Sequence, residues 1–221
     1  MSKRKKGFRI EKDSLGSVYV PNSALYGAQT QRAVDNFPIS GIKMDFPFTN
    51  SFIDSLGMIK DAAAKANKSL GLLSSKKANL ISKAAKEVWQ SKHNSHFPLD
   101  VFQTGSGTSS NMNANEVIAN LASKYGKTKV DPNDDVNMSQ SSNDVIPTSI
   151  KVSAYRDLTK KLYPALDKLI STIDKKSSSL KGVVKTGRTH LMDAMPIDFS
   201  QELSAWSSQL KVSKKTLSFL E

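Results

Sequence analysis

Apolar residues recur at spacings of three and four in five stretches of this chain, and each predicts an amphipathic helix. The first runs from about Asn50 to Leu70 with Phe52, Leu56, Ile59, Ala63 and Ala66 inward, and Gly71 as its stop. The second runs from about Ser75 to Lys92 with Ala78, Ile81, Ala85, Val88 and Trp89 inward. A short third helix covers about Asn115 to Lys124, with Val117, Ile118, Leu121 and Ala122, and Gly126 ends it. A long fourth starts near Pro147, on the stripe Val152, Tyr155, Leu158, Leu162, Leu166, Leu169 and Ile173. Pro164 lies inside it and predicts a kink, because proline removes a donor and crowds the preceding turn. The last begins near Ser200 with Leu203, Trp206, Leu210, Leu217 and Leu220 inward.

The intervening stretches lack this period. Residues 1–15 are polar and basic and read as loose at the start. Residues 16–48 are rich in Gly, Pro, Asn and Phe and read as loops, short strands and turns. Residues 93–115 and 127–149 read mostly as loop, and 182–199 as a loop or hairpin. No internal repeat is present. The fold class is mainly α, with a mixed first domain over 1–145 and a helical second domain over 146–221. The two long helices carry narrow stripes that want partner helices, and the last pattern is still running at Glu221. A bundle with missing members is therefore expected.

Composition narrows the picture modestly. A chain of 221 residues with 38% hydrophobic content can bury a core. It has no apolar run long enough to span a bilayer and no apolar signal segment, so a cytoplasmic protein without a membrane partner is expected. With no cysteine, thiol nucleophiles and thiolate metal sites are excluded. The net charge of +12 begins with Lys3-Arg4-Lys5-Lys6. Aromatics do not alternate with the basic residues, and no nucleic-acid motif occurs. The charge therefore reads as solvated faces and a field favouring anionic small molecules, not as a nucleic-acid surface.

Three polar blocks carry the candidate chemistry. Thr104 to Asn113 holds two glycines, many hydroxyl and amide side chains and no charge, just ahead of a helix. Such a segment sets backbone N–H groups and the helix dipole beside neutral donors, which suits a carboxylate or phosphate. Ser139 to Asp144 repeats that logic, although Ser, Asn and Asp before a helix are also ordinary caps. The third block, Gly187-Arg188-Thr189-His190, contains a candidate proton carrier, against the plain alternative of a loop histidine. His93 and His96 could share a metal, but Phe97-Pro98 ends any helix and no third ligand stands at suitable spacing, so no metal is expected. The Gly-x-Gly pattern lacks the context of a nucleotide loop. Neutral donors around a small anion suit proton abstraction beside a carboxylate, where the developing charge spreads onto the carboxylate oxygens.

These blocks resemble those of the class II fumarases, within the fumarase/aspartase superfamily. The first is Thr104 to Asn113 with Asn115-Glu116-Val117-Ile118-Ala119-Asn120. The second is Pro132-Asn133-Asp134-Asp135-Val136-Asn137 running into Ser139 to Asp144, and the third is Gly187-Arg188-Thr189-His190 with Asp193-Ala194. Tyr26-Gly27-Ala28-Gln29-Thr30-Gln31-Arg32 is similar too, so the likeness runs from about Phe8 onward. Ser106 and His190 favour fumarase over aspartase, which tends to have Ala and Gln there.

The resemblance implies reversible hydration of fumarate to L-malate without a metal or organic cofactor. Ser106, Gly107, Thr108, Ser141, Ser142, Asn143 and Thr189 would hold the dicarboxylate, and His190 would move a proton through the water added or removed. It also implies a homotetramer with a central bundle, each active site taking one polar block from each of three subunits.

Two departures qualify this. The family's accessory dicarboxylate site, here at Asn133 and Asp134, usually has His where this chain has Asp131, and an acidic residue there repels a dicarboxylate. The family's Gly-Ser-Ser loop with its Met-Pro-x-Lys-x-Asn signature, which carries a catalytic serine, is absent from these 221 residues. A second chain supplying that part is one expectation. The competing readings are an aspartate or argininosuccinate lyase, and a helical interaction protein that keeps the fold without activity.

Overall fold

The computed structural model describes residues 6–44 and 50–219. Lys3, Arg4 and Lys5 of the basic opening, and Leu220, lie outside the described residues. The chain forms two compact units, Met1–Ala154 and Tyr155–Glu221.

In the first unit, β1 (Phe8–Asp13) and β2 (Gly16–Pro21) pair antiparallel, with Phe8 opposite Pro21 and Asp13 opposite Gly16. The polar, basic opening segment is thus a strand from Phe8 to Asp13. Its Arg9 guanidinium donates to the carbonyls of Pro21, Ala24 and Tyr26 at 2.6–2.8 Å. Helix α1 (Ala28–Asn36) replaces part of the expected loop. Its Arg32 clamps Asp13 through Nε and Nη2, at 2.7 and 3.0 Å. Both elements are fastened by long-range arginine bonds that local pattern does not reveal.

Helices α2 (Ser51–Ser69), α3 (Ser75–Trp89) and α4 (Thr108–Gly126) form the core of this unit. On α3 the expected residues Ala78, Ile81, Ala85 and Val88 are buried, and Trp89 is half-buried. The buried line of α2 is rotated from the expected one. It runs through Ile53, Leu56, Lys60, Ala64 and Asn67, while Ala66 is exposed and Phe52, Ile59 and Ala63 are intermediate. Gly57 permits this rotation. A Cβ there would lie 2.9 Å from the Ala85 carbonyl oxygen and 2.9 Å from the Trp89 nitrogen, so α2 and α3 meet backbone to backbone.

Helix α4 begins seven residues earlier than its apolar pattern suggested, and the first polar block is its opening turns. A short π-helical turn, Pro132–Val136, follows. Helix α5 (Ser142–Asp157) then includes Pro147.

The second unit carries a π-helical turn at Leu158–Leu162 and helix α6 (Tyr163–Ser179). The wide turn comes immediately before Pro164, where the ring would otherwise crowd the carbonyl of Lys160. An antiparallel hairpin, β3 (Val184–Thr189) and β4 (Met192–Asp198), leads into α7 (Phe199–Ser218). A reciprocal cap starts α7: Asp198 Oδ1 accepts from Ser200 N at 2.7 Å, and Gln201 Oε1 accepts from Asp198 N at 2.9 Å. Buried positions along α6 and α7 are Ile170, Ser177 and Ser207, while the expected inward residues Tyr155, Leu162, Leu169 and Trp206 are exposed. Their stripes have no covering helix among the described residues of this unit. No helix among the described residues is long and apolar enough to cross a membrane.

Candidate active site

The first block is built around the start of α4. Gly107 caps the helix with φ +69°, a left-handed conformation, and its amide donates to Thr104 O at 2.9 Å. A Cβ on Gly107 would sit 3.0 Å from Ile146 Cγ1 and Cγ2, so glycine is needed for both backbone and space. The start of the helix is not a set of free amides. Ser109 N donates to Thr104 Oγ1 at 3.3 Å, and Ser110 N donates to Gln103 Oε1 at 2.9 Å. Two donors that the sequence suggested for an anion are therefore occupied by caps. What remains outward is hydroxyl chemistry: exposed Ser106 and Thr108 share a hydrogen bond between their side-chain oxygens at 2.8 Å.

The second block divides its labour. Ser141 Oγ accepts from Asn143 N at 3.2 Å, and Ser141 N donates to Asp144 Oδ1 at 3.0 Å, a reciprocal cap opening α5. Ser142 is the member that reaches the first block. Asn111 Nδ2 donates to Ser142 Oγ at 3.2 Å and to Asn137 Oδ1 at 3.2 Å. With Ile146 against Gly107, the first two blocks meet within this chain.

Beneath them lies Lys60, fully buried. Its Nζ donates to Asn137 Oδ1 and Gln140 Oε1, both at 2.9 Å. Burial pushes this ammonium down to about 7, against the pull of the Asp144 carboxylate. Sequence reasoning missed Lys60, Asn111, Asn137 and Gln140 as a group. One signal existed, since Lys60 stands four residues from both Leu56 and Ala64 and so falls on the buried line.

A second polar centre ties the Tyr26–Arg32 motif to α4. The buried Glu116 carboxylate accepts from Gly27 N at 2.8 Å, Gln29 N at 2.9 Å, Thr30 N at 3.1 Å and Thr30 Oγ1 at 2.6 Å. Burial pushes its carboxyl up, and these four donors oppose that.

The third block belongs to the second unit. Thr189 and His190 sit at the tip of the β3–β4 hairpin, both exposed. His190 and Leu191 form its two-residue turn with φ +50° and +62°, the geometry that matches strand twist. Its side chain is exposed at the tip of the hairpin and is available to a ligand or to another chain.

The remaining candidates resolve as follows. Asp131 Oδ1 accepts from Asn133 N at 2.9 Å and Asp134 N at 3.1 Å. Those amides, which an accessory anion would use, already hold an internal carboxylate. The neighbouring cavity of about 440 Å³ is lined by Glu11, Asp13, Glu116 and Asp131 as well as Lys12 and Lys129. His93 pairs with Glu87 at 3.0 Å, and His96 Nδ1 accepts from Leu25 N at 3.3 Å. Both histidines are thus engaged in the scaffold, and no cluster of three metal-ligating side chains occurs among the described residues.

The chain is 55% identical over 203 residues to a class II fumarate hydratase of Xylella fastidiosa, spanning 92% of this chain and 42% of that protein. It is 51% identical over 204 residues to the class II fumarate hydratase of Mycobacterium tuberculosis, again 92% of this chain and 42% of the relative. The chain thus spans less than half the length of these curated relatives. Among solved structures, a class II fumarase of Schistosoma mansoni superposes with a TM-score of 0.88 at 41% identity, covering 94% of this chain and 44% of the other. A fumarate lyase:delta crystallin of Brucella melitensis superposes with a TM-score of 0.90 at 40% identity, covering 96% and 50%. A lyase family model matches residues 16–220, and the chain belongs to that lyase family.

Proposed function

We propose that this chain forms part of a fumarate hydratase, a hydro-lyase that interconverts fumarate and L-malate. The observation carrying this reading is the meeting of the first two blocks, through Asn111 and Ser142, in a chain 50–55% identical to class II fumarate hydratases. Ser106, Thr108, Ser142 and Asn143 supply neutral donors for the carboxylates. Such donors stabilise the charge that develops when a proton leaves the carbon beside a carboxylate. In the hydration direction, water's oxygen bonds to one alkene carbon and a proton is delivered to the other. His190, through the water, takes the proton released on attack, and Thr189 beside it holds a carboxylate.

The assembly we propose is a homotetramer. The exposed stripes of α5 to α7 fit a bundle completed by other chains, because apolar area left in water favours association at roughly 25 cal/mol per Å². The part of the relatives' length beyond this chain would complete the active site. We place the enzyme in the cytoplasm.

The test is titration of the chain with fumarate and L-malate, followed by NMR and by the ultraviolet absorbance of fumarate. Resonances of Ser106, Thr108 and Ser142 shift on binding, and Ser142→Ala weakens affinity by about tenfold. Ammonia release from L-aspartate exceeding malate chemistry would move the assignment to an aspartate ammonia-lyase. Absence of dicarboxylate binding and turnover, alone or with a complementing chain, would leave a helical interaction protein.

A further inference from the structure

We infer that Lys60 is a positioning residue for the dicarboxylate wall, orienting Ser142 from below through Asn137 and Asn111. The inference rests on the reading of these blocks as a dicarboxylate site. Lys60 is fully exposed to neither water nor a carboxylate hydrogen-bond partner: its side chain is buried, and its ammonium points at two amide oxygens. A buried cation is costly, and an apolar side chain at this point of α2 would fill the same space between Leu56 and Ala64 without that cost. The ammonium has a structural effect that an apolar group cannot have. An amide can face either way, and a cation at 2.9 Å requires the oxygen of Asn137 to face it. With its oxygen turned to Lys60, Asn137 also accepts from Asn111 Nδ2, and its own Nδ2 donates to Gln140 O at 3.2 Å. Asn111 is thereby held with its amide nitrogen toward Ser142 Oγ.

The chain of polarity therefore has one direction, from ammonium to amide oxygen to amide nitrogen to hydroxyl. Because Asn111 Nδ2 donates to Ser142 Oγ, the serine proton is left free to point away from the scaffold and toward an anion. Gln140 is locked in the same way. Its Oε1 faces Lys60, and its Nε2 donates to Val136 O at 3.0 Å and Met138 O at 3.1 Å, which closes the loop ahead of α5. Burial pushes the ammonium down to about 7, in keeping with an enclosed site.

The test is Lys60→Met in the 221-residue chain, beside Ile53→Val as a control that loosens the same helix away from the network. Amide hydrogen exchange, side-chain amide resonances and fumarate affinity are read for all three proteins. In Lys60→Met, protection over residues 137–145 falls by about tenfold, and the Asn111 and Asn137 side-chain resonances move. Fumarate affinity falls by about tenfold, and Ile53→Val leaves all three readouts at parental values. Unchanged exchange and unchanged Asn111 and Asn137 resonances in Lys60→Met would overturn the inference. If Lys60→Met does not fold, the parental chain answers directly. Below pH 7 the Lys60 ammonium protons give a slowly exchanging signal with cross-relaxation to Asn137 and Gln140, and absence of that signal overturns the inference. A parental chain that binds no fumarate while Lys60→Met disturbs the loop refutes the dicarboxylate reading and leaves the positioning role standing.

Discussion

Thr30 Oγ1 donates to the buried Glu116 carboxylate at 2.6 Å, joining the start of α1 to the middle of α4 across 86 residues of sequence. Three backbone amides complete the same carboxylate's shell, so one side chain orders the Tyr26–Arg32 motif. Removing the acceptor leaves these four donors without their shared partner. We expect Glu116→Ala to lower stability by about 3 kcal/mol, with Glu116→Gln intermediate, measured by chemical denaturation. A loss below about 0.5 kcal/mol in Glu116→Ala would contradict this account.

Gly107 combines a positive φ with contact against Ile146. Gly107→Ala should cost about 1–3 kcal/mol through backbone strain and displacement of Ile146. Because Ile146 lies on α5, the perturbation should reach Ser142 resonances as well as those of α4.

Asp100 gives a pH signature. Partial burial pushes its carboxyl up, but donation from Phe102 N, Ser40 N, Ser40 Oγ and Gly41 N outweighs this and holds it at about 2. The folded value lies below the unfolded value of 3.8. Its stabilising contribution is therefore present above the unfolded value and is lost as pH falls through the folded one. Thermal unfolding between pH 4.5 and pH 2 should fall more steeply for the parent than for Asp100→Asn. Parallel curves would remove Asp100 from the acid response.

Helices α6 and α7 meet over small residues. Ser207, 1% exposed, donates to Asp174 Oδ1 at 2.6 Å, and Ser177 Oγ donates to Ser200 O at 2.9 Å. Ser207→Leu adds volume where the helices are close and removes that bond. Destabilisation of about 1–3 kcal/mol is expected, read as a lower thermal midpoint. Trp206→Ala, one residue away and exposed, should change the midpoint little in a monomer and weaken any self-association.

Local pattern alone determined much of this protein. The three-four spacing located the helices α2, α3 and α7 and, on α3, the buried face itself, because burial of one face imposes that period on a helix that packs. The glycine and proline breaks located the β3–β4 region, and the polar blocks marked the candidate site by composition. Pattern failed where polar side chains are buried. The opening turns of α4 read as loop because Ser, Thr and Asn favour caps and turns in isolation, yet Ser110, Asn111 and Asn113 are buried and helical here. Lys60 likewise is buried although it is charged. Only the tertiary structure decided which donors are consumed by caps, which serine reaches the other block, and which way the amides of Asn111 and Asn137 face. The caps come from 5 and 7 residues away, but the serine and amide choices depend on partners 26 to 80 residues away. A buried polar group takes whichever partner the packing brings within 3 Å, and spacing along the chain carries no record of that distance.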